Sequence, residues 1–231
     1  ILLFSLDKSS VSKYIGKMKV FGTKKHEPVI ETQTKPKVLI KHKKTEQVHI
    51  ALGVRTVAIK HRDRYPLSLL SAILGGGMSS RLFSEVREKR GLGYYVRTVS
   101  EHYQDCGSLV STAGIDPKRI EEAVTVILAE YDKVSSIKYQ VSREELTKAK
   151  EYIKGHLVLE MEDSRSVAGF YASQELLEKS IDNLEEVLLN LDKVTKEQVS
   201  KVAKKYLQPQ GFNLAIIGDF EDKERFEKLL K

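Results

Sequence analysis

A single cysteine, Cys106, stands in 231 residues, so no disulfide can form within the chain. No apolar run approaches the roughly 20 residues needed to span a bilayer. Ile1-Leu-Leu-Phe-Ser-Leu6 is too short for a secretory signal and has no basic leader before it. It reads as a buried strand, which carries the expectation that a segment upstream has been cut away. No Gly-Lys-Ser/Thr closes the glycine run at Gly75–Gly77, and no G-x-G-x-x-G occurs, which argues against a nucleotide site. Histidine is sparse as well. His26, His42, His49, His61, His102 and His156 begin neither H-x-x-E-H nor H-E-x-x-H. His156 and Glu160 share a predicted helix face, but two ligands do not make a catalytic metal site. A nucleophilic Cys106 would need a positioned histidine, and His102 is the nearby candidate.

What remains is an ordinary globular balance, with 41% hydrophobic and 31% charged residues. A chain of this size buries on the order of 70% of its unfolded surface. The net charge of +7 is unevenly spread: residues 1–65 carry +10 and residues 66–231 carry −3. A basic front of this kind suits an anionic partner such as nucleic acid or lipid. The plainer reading is a lysine-rich solvated linker, because no aromatic platform interleaves with the lysines.

The most patterned stretch runs from Gly75 to Val96. Three glycines lead into a short helix that Ser79 or Ser80 would cap. Leu82, Phe83 and Val86 give that helix one apolar face. Gly91 suits the left-handed position just past a helix end, and Gly93-Tyr-Tyr-Val96 reads as strand. Arg87 and Tyr94 are thereby carried on two consecutive rigid elements.

Around this stretch the chain reads as α+β. Ser9 or Ser10 caps a helix with Val11, Tyr14, Ile15 and Met18 on one face, and residues 19–46 read as a linker with extended pairing around Val38–Ile40. From Gln47 the pattern alternates through Val48, Ile50, Leu52 and Val54, a half-buried strand. A helix opens at Pro66, and residues 94–102 and 107–114 form an antiparallel hairpin. Asp116-Pro117 caps a helix, and capping boxes at Ser142–Glu145 and Thr195–Gln198 open two more. Ser164 caps another. Residues 212–217 are a strand, and 221–230 a last helix. The strand-helix units at the two ends resemble each other, which suggests an internal duplication. Strands first and clustered helices later predict a mostly antiparallel sheet with helices packed on one face.

Leu74-Gly-Gly-Gly-Met-Ser-Ser-Arg-Leu-Phe83, Val86-Arg-Glu-Lys89 and Gly91-Leu-Gly-Tyr-Tyr-Val96 together resemble the second-half signature of the insulinase/pitrilysin family of zinc metallopeptidases, in its processing-peptidase-like branch. Weaker matches at Thr45–Ile50 and Leu214–Phe220 extend the resemblance over nearly the whole chain. It implies a two-half peptidase of which this chain is the second, C-terminal half, each half an α+β sandwich. The expected layout is 1–18 as the tail of a preceding homologous half, 19–46 as the linker and 47–231 as the domain proper.

The resemblance also implies roles. Zinc belongs to the missing first half, and this chain holds no cofactor or metal of its own. The second half supplies a tyrosine, which donates toward the scissile carbonyl as it becomes an oxyanion, and an arginine, which contacts a substrate carbonyl. These map onto Tyr94 and Arg87, with Arg81, Arg90 and Tyr95 as nearby alternatives. Gly75, Gly76, Gly77 and Arg81 are the further substrate-binding candidates, and an exposed strand edge could pair with an extended peptide. The implied partners are a zinc-bearing first half, in the same chain or a separate subunit, and a peptide substrate; a dimer is compatible, and no specific nucleic acid or membrane span is expected. Two other readings are a non-catalytic structural subunit of the same family and a basic nucleic-acid-binding module in residues 1–65.

Overall fold

The computed structural model describes residues 13, 27–136, 141–178 and 180–231. The chain divides into two compact units, Ile1–Ile30 and Glu31–Lys231. All elements named below belong to the second unit. Apart from residue 13, the expected strand and helix over residues 1–18 lie outside the described residues.

In chain order the elements are β1 (Lys37–His42), β2 (Val48–Thr56), α1 (Arg64–Gly75), a π-helical turn (Phe83–Glu88), β3 (Gly93–His102), β4 (Gly107–Ile115), α2 (Ile120–Ser135), α3 (Arg143–Glu160), α4 (Ser164–Leu177), α5 (Leu184–Asp192), α6 (Lys196–Tyr206), β5 (Asn213–Gly218) and α7 (Lys223–Leu229). The strands form one sheet in the order β1-β5-β2-β4-β3. Every neighbouring pair is antiparallel except β1 with β5, where Val38 lies opposite Leu214 and Ile40 opposite Ile216. The α+β class and the mostly antiparallel sheet are as the sequence predicts. The extended pairing expected around Val38–Ile40, within residues 19–46, is the edge strand Lys37–His42.

Strand periodicity decides where the core lies. Val48, Ile50, Leu52 and Val54 of β2 point to one face with Leu109, Ala113 and Ile115 of β4 and Leu214 and Ile216 of β5, all buried. The helices cover this face: α1 packs on β3 and β4, α6 on β2 and α7 on β1. The opposite face carries Lys37, Leu39, Lys41, Arg55 and Arg97, all exposed.

The caps explain most helix boundaries. Ser142 and Thr195 form their capping boxes with Glu145 and Gln198. Asn183 forms a third with Glu186, opening α5, which the sequence reading passes over. Asp163, rather than Ser164, caps α4. Asp116 caps a 3-10 turn, Pro117–Arg119, that leads into α2. Asp63 fastens the start of α1 to α6, accepting from Tyr206 Oη at 2.8 Å and Lys205 Nζ at 3.0 Å.

One polar chain runs through the core. Tyr131 of α2 is fully buried, and its hydroxyl donates to Ser111 Oγ at 2.6 Å, with the Leu52 carbonyl oxygen at 3.1 Å. Ser111 Oγ lies 2.7 Å from Thr98 Oγ1. A chain of hydroxyls thus ties α2 to three adjacent strands and ends under β3. Burial pushes the Tyr131 phenol well above its ordinary range, so it stays a donor. Tyr131→Phe removes the donor and leaves buried acceptors unpaired. The expected cost is about 1–3 kcal/mol in urea denaturation, with an unchanged m-value. A variant as stable as the parent would contradict this account of the core.

Candidate functional site

The site grows from the way α1 ends. Its last residue, Gly75, lies directly on β3. A Cβ there would sit 2.4 Å from Thr98 Oγ1 and 2.5 Å from Thr98 N, so only glycine fits. Gly76 and Gly77 pack in turn against the ring of Tyr152 on α3, each placing a Cβ position 3.1 Å from a ring carbon. The family resemblance makes these glycines substrate-binding candidates; in the structure they allow close packing between α1, β3 and α3.

The chain then rises into the short helix. Ser80 does not cap it as expected. Its hydroxyl donates back to the Gly77 carbonyl at 2.6 Å, and the side chain is buried. Residues Phe83–Glu88 take π-helical form, in which Lys89 N reaches Ser84 O at 2.9 Å. The wider turn lets Leu82 and Val86 both bury fully while Arg87 turns to solvent. Gly91, at φ 55°, ends the turn, and Leu92 N returns to Val86 O at 2.8 Å.

Strand β3 begins with an irregularity. Gly93 lies opposite Ile115 and Tyr95 opposite Gly114, so Tyr94 is an extra residue in the pairing. In a regular strand, neighbouring side chains point to opposite faces. The bulge instead leaves both tyrosines exposed, Tyr94 at 65% and Tyr95 at 42%.

Four cations stand on this stretch, and three are engaged. Arg81 grips Glu145 of α3 through both carboxylate oxygens, Nε to Oε1 at 2.6 Å and Nη2 to Oε2 at 3.0 Å. Lys89 and Arg90 both bond Glu85, Lys89 Nζ at 2.6 Å. Arg87 has no carboxylate partner among the described residues; its guanidinium lies 5.0 Å from the centroid of the Phe83 ring. The tyrosines divide in the same way. The Tyr95 hydroxyl is 3.1 Å from His49 Nδ1, and its ring lies across Gly114. The Tyr94 hydroxyl makes no hydrogen bond among the described residues. Among the described residues, a cation and a phenol are therefore left without hydrogen-bond partners on two elements that pack together.

The other chemical candidates are occupied elsewhere. His102 sits with Nδ1 2.8 Å from the Val57 carbonyl and Nε2 3.1 Å from Ser100 Oγ, and burial lowers its pKa. The Cys106 thiol is pushed up by burial and by Asp105, the wrong direction for a nucleophile. His156 Nδ1 donates to the Tyr152 carbonyl at 2.8 Å. Among the described residues, no group of three or more His, Cys, Asp or Glu could hold a metal ion.

A sheet covered by helices on one face, with Arg87 and Tyr94 exposed beside its edge strand β3, makes a two-layer α+β domain. Residues 8–153 match the peptidase M16 inactive domain, and the chain belongs to that family. It is 33% identical over 182 residues to an uncharacterized zinc protease of Streptomyces coelicolor, covering 79% of this chain and 39% of that protein. It is 31% identical over 210 residues to the uncharacterized zinc protease YmxG of Bacillus subtilis, covering 90% of this chain and 49% of the relative. The chain thus spans less than half the length of these relatives. A crystal structure of a protease from Helicobacter pylori shares the fold, with a TM-score of 0.77 at 24% identity, over 91% of this chain and 51% of that one.

The charge cluster below Arg87 makes a measurable claim. Hydrogen bonds from Lys89 and Arg90 hold the Glu85 carboxyl at about 2, below its ordinary 4.5. A depressed carboxylate contributes stability above its unfolded pKa and loses it as pH falls through the folded value. The Glu85 carboxyl carbon, followed by NMR, should show no inflection until pH falls below about 3. A midpoint at the ordinary carboxylate value would mean that the cluster does not hold.

Proposed function

We propose that this inactive domain is the substrate-positioning half of an insulinase-like zinc metalloendopeptidase and acts at an active site whose zinc lies in the first half. The observation that carries the reading is the division of partners within one stretch. Arg81, Lys89, Arg90 and Tyr95 each have an intramolecular hydrogen-bond partner, whereas Arg87 and Tyr94 are exposed and, among the described residues, have no hydrogen-bond or carboxylate partner. A packing or stabilising role would use these two groups as it uses their neighbours. A role toward a ligand requires them free.

The metal of the first half would supply an activated water at the scissile bond. The part of this domain is positioning and charge stabilisation. The Tyr94 hydroxyl donates to the carbonyl oxygen as it gains negative charge, and Arg87 donates to a neighbouring substrate carbonyl. The bulge keeps Tyr94 off the sheet pairing, and the π-helical turn holds Arg87 outward, so little reorganisation is needed when the substrate arrives. The backbone at Gly75–Gly77 lies beside the same edge and completes the proposed peptide-facing surface. Arg81, a substrate-binding candidate by sequence, is assigned a different part below. The proposed partners are a first half, in the same chain or a separate subunit, and an extended peptide.

The test is steady-state cleavage by the enzyme with both halves present. Tyr94→Phe keeps the ring and removes one donor to the transition state. Turnover should fall by about 10²–10³ with a much smaller change in KM. Arg87→Ala removes a contact already made in the bound substrate, so KM should rise as turnover falls. Unaltered turnover in a correctly assembled Tyr94→Phe enzyme would remove the catalytic role.

A further inference from the structure

We propose that Arg81 is a positioning residue: its paired grip on Glu145 clamps the start of the π-helical turn to the first turn of α3 and so sets where Arg87 and Tyr94 stand. The inference rests on the reading of Arg87 and Tyr94 given above. It reassigns Arg81 from contact with substrate to support of the residues that make that contact.

Several observations converge on this clamp. The pair is bidentate, with Arg81 and Glu145 side chains only 15% and 30% exposed. A planar fork against a carboxylate fixes orientation as well as distance, which a single ammonium contact does not. Glu145 is itself immobilised. Its Oε2 also accepts from Ser142 N at 2.9 Å, the return bond of the capping box, and Ser142 Oγ accepts from Glu145 N at 3.1 Å. The carboxylate therefore closes the N-terminus of α3 and receives Arg81 at once. The second tie to α3 is Tyr152, about two turns beyond Glu145 on the same helix face, whose ring covers Gly76 and Gly77. The loop from Gly76 to Ser80 thus leaves α1 under Tyr152 and enters the turn under Glu145. Without the clamp, the near end of the turn rests on the apolar contacts of Leu82, Phe83 and Val86, while Arg119 Nη1 holds its far end at the Arg90 carbonyl. Apolar contacts resist withdrawal from the core but set rotation about the turn axis only weakly. Rotation is what would swing Arg87, one and a half turns beyond Arg81.

Two variants separate this role from general stability. Arg81→Lys keeps the charge and loses the fork. Glu145→Gln keeps an acceptor for Ser142 N, so the capping box survives, but sets an amide N–H₂ against the Arg81 donors. The first measurement is amide hydrogen exchange on this chain. Both variants should speed exchange across residues 82–92 by about tenfold while β2 and β4 keep their protection. Unchanged exchange in that segment, or an equal loss throughout the sheet, overturns the proposal. The second is a double-mutant cycle in the two-half enzyme. If Arg81 acts through Arg87 and Tyr94, then Arg81→Lys combined with Arg87→Ala should lose less kcat/KM than the two single losses added together. Additive losses would show that Arg81 acts on substrate or stability independently. Should Arg87→Ala and Tyr94→Phe both prove silent, the proposed function fails, and the exchange result still decides whether the clamp exists.

Discussion

The contact between Gly75 and Thr98 is the constraint from which the rest of the site follows. Helix α1 ends so close to β3 that no side-chain carbon fits between them. That approach places the glycine run under Tyr152 and aims the next residues along the free edge of the sheet. Thr98, on the strand side of the contact, is fixed from beneath by Ser111 and Tyr131. A buried hydroxyl chain, a helix end and a surface turn are therefore one mechanical unit. Disturbing any of the three reaches the others through atoms in van der Waals or hydrogen-bond contact.

On this base, electrostatics sorts a dense row of like charges. Four cations within ten residues would repel one another if left unpaired. Glu145 takes one and Glu85 takes two. Burial alone would raise the Glu145 carboxyl, but the hydrogen bonds from Arg81 and Ser142 outweigh it and hold the group ionised. The remaining cation, Arg87, stands over an aromatic ring in solvent. Such an arrangement keeps one guanidinium available while the surrounding charges are neutralised by the domain itself.

Much of this was legible in the sequence, and the failures have identifiable causes. The capping boxes at Ser142 and Thr195 are local patterns, and the helices begin where they predict. Gly91 is likewise a local signal and has the expected positive φ. The Asn183–Glu186 box carries the same kind of signal with asparagine as the cap, and reading Asn-x-x-Glu would have found α5. Strand β1 shows in the sequence only as a short extended stretch within a lysine-rich segment, because an edge strand tolerates lysines where one side of it faces water. The choice of Arg87 over Arg81 is not a local matter, since the partner that engages Arg81 lies 64 residues away. Nor does composition separate Tyr94 from Tyr95, because a bulge is a property of strand pairing. The π-helical turn is invisible for a similar reason: Leu82 and Val86 fit an α-helical face equally well.

The central claim is that Tyr94 and Arg87 meet the substrate at the scissile bond. The most direct measurement is a crystal structure of both halves with a peptide trapped in place by an inactivating substitution in the zinc-bearing half. The account predicts Tyr94 Oη at about 3 Å from the scissile carbonyl oxygen and the Arg87 guanidinium on an adjacent backbone carbonyl. A bound peptide whose scissile carbonyl is met by another donor, with the Tyr94 hydroxyl more than about 6 Å away, would contradict it.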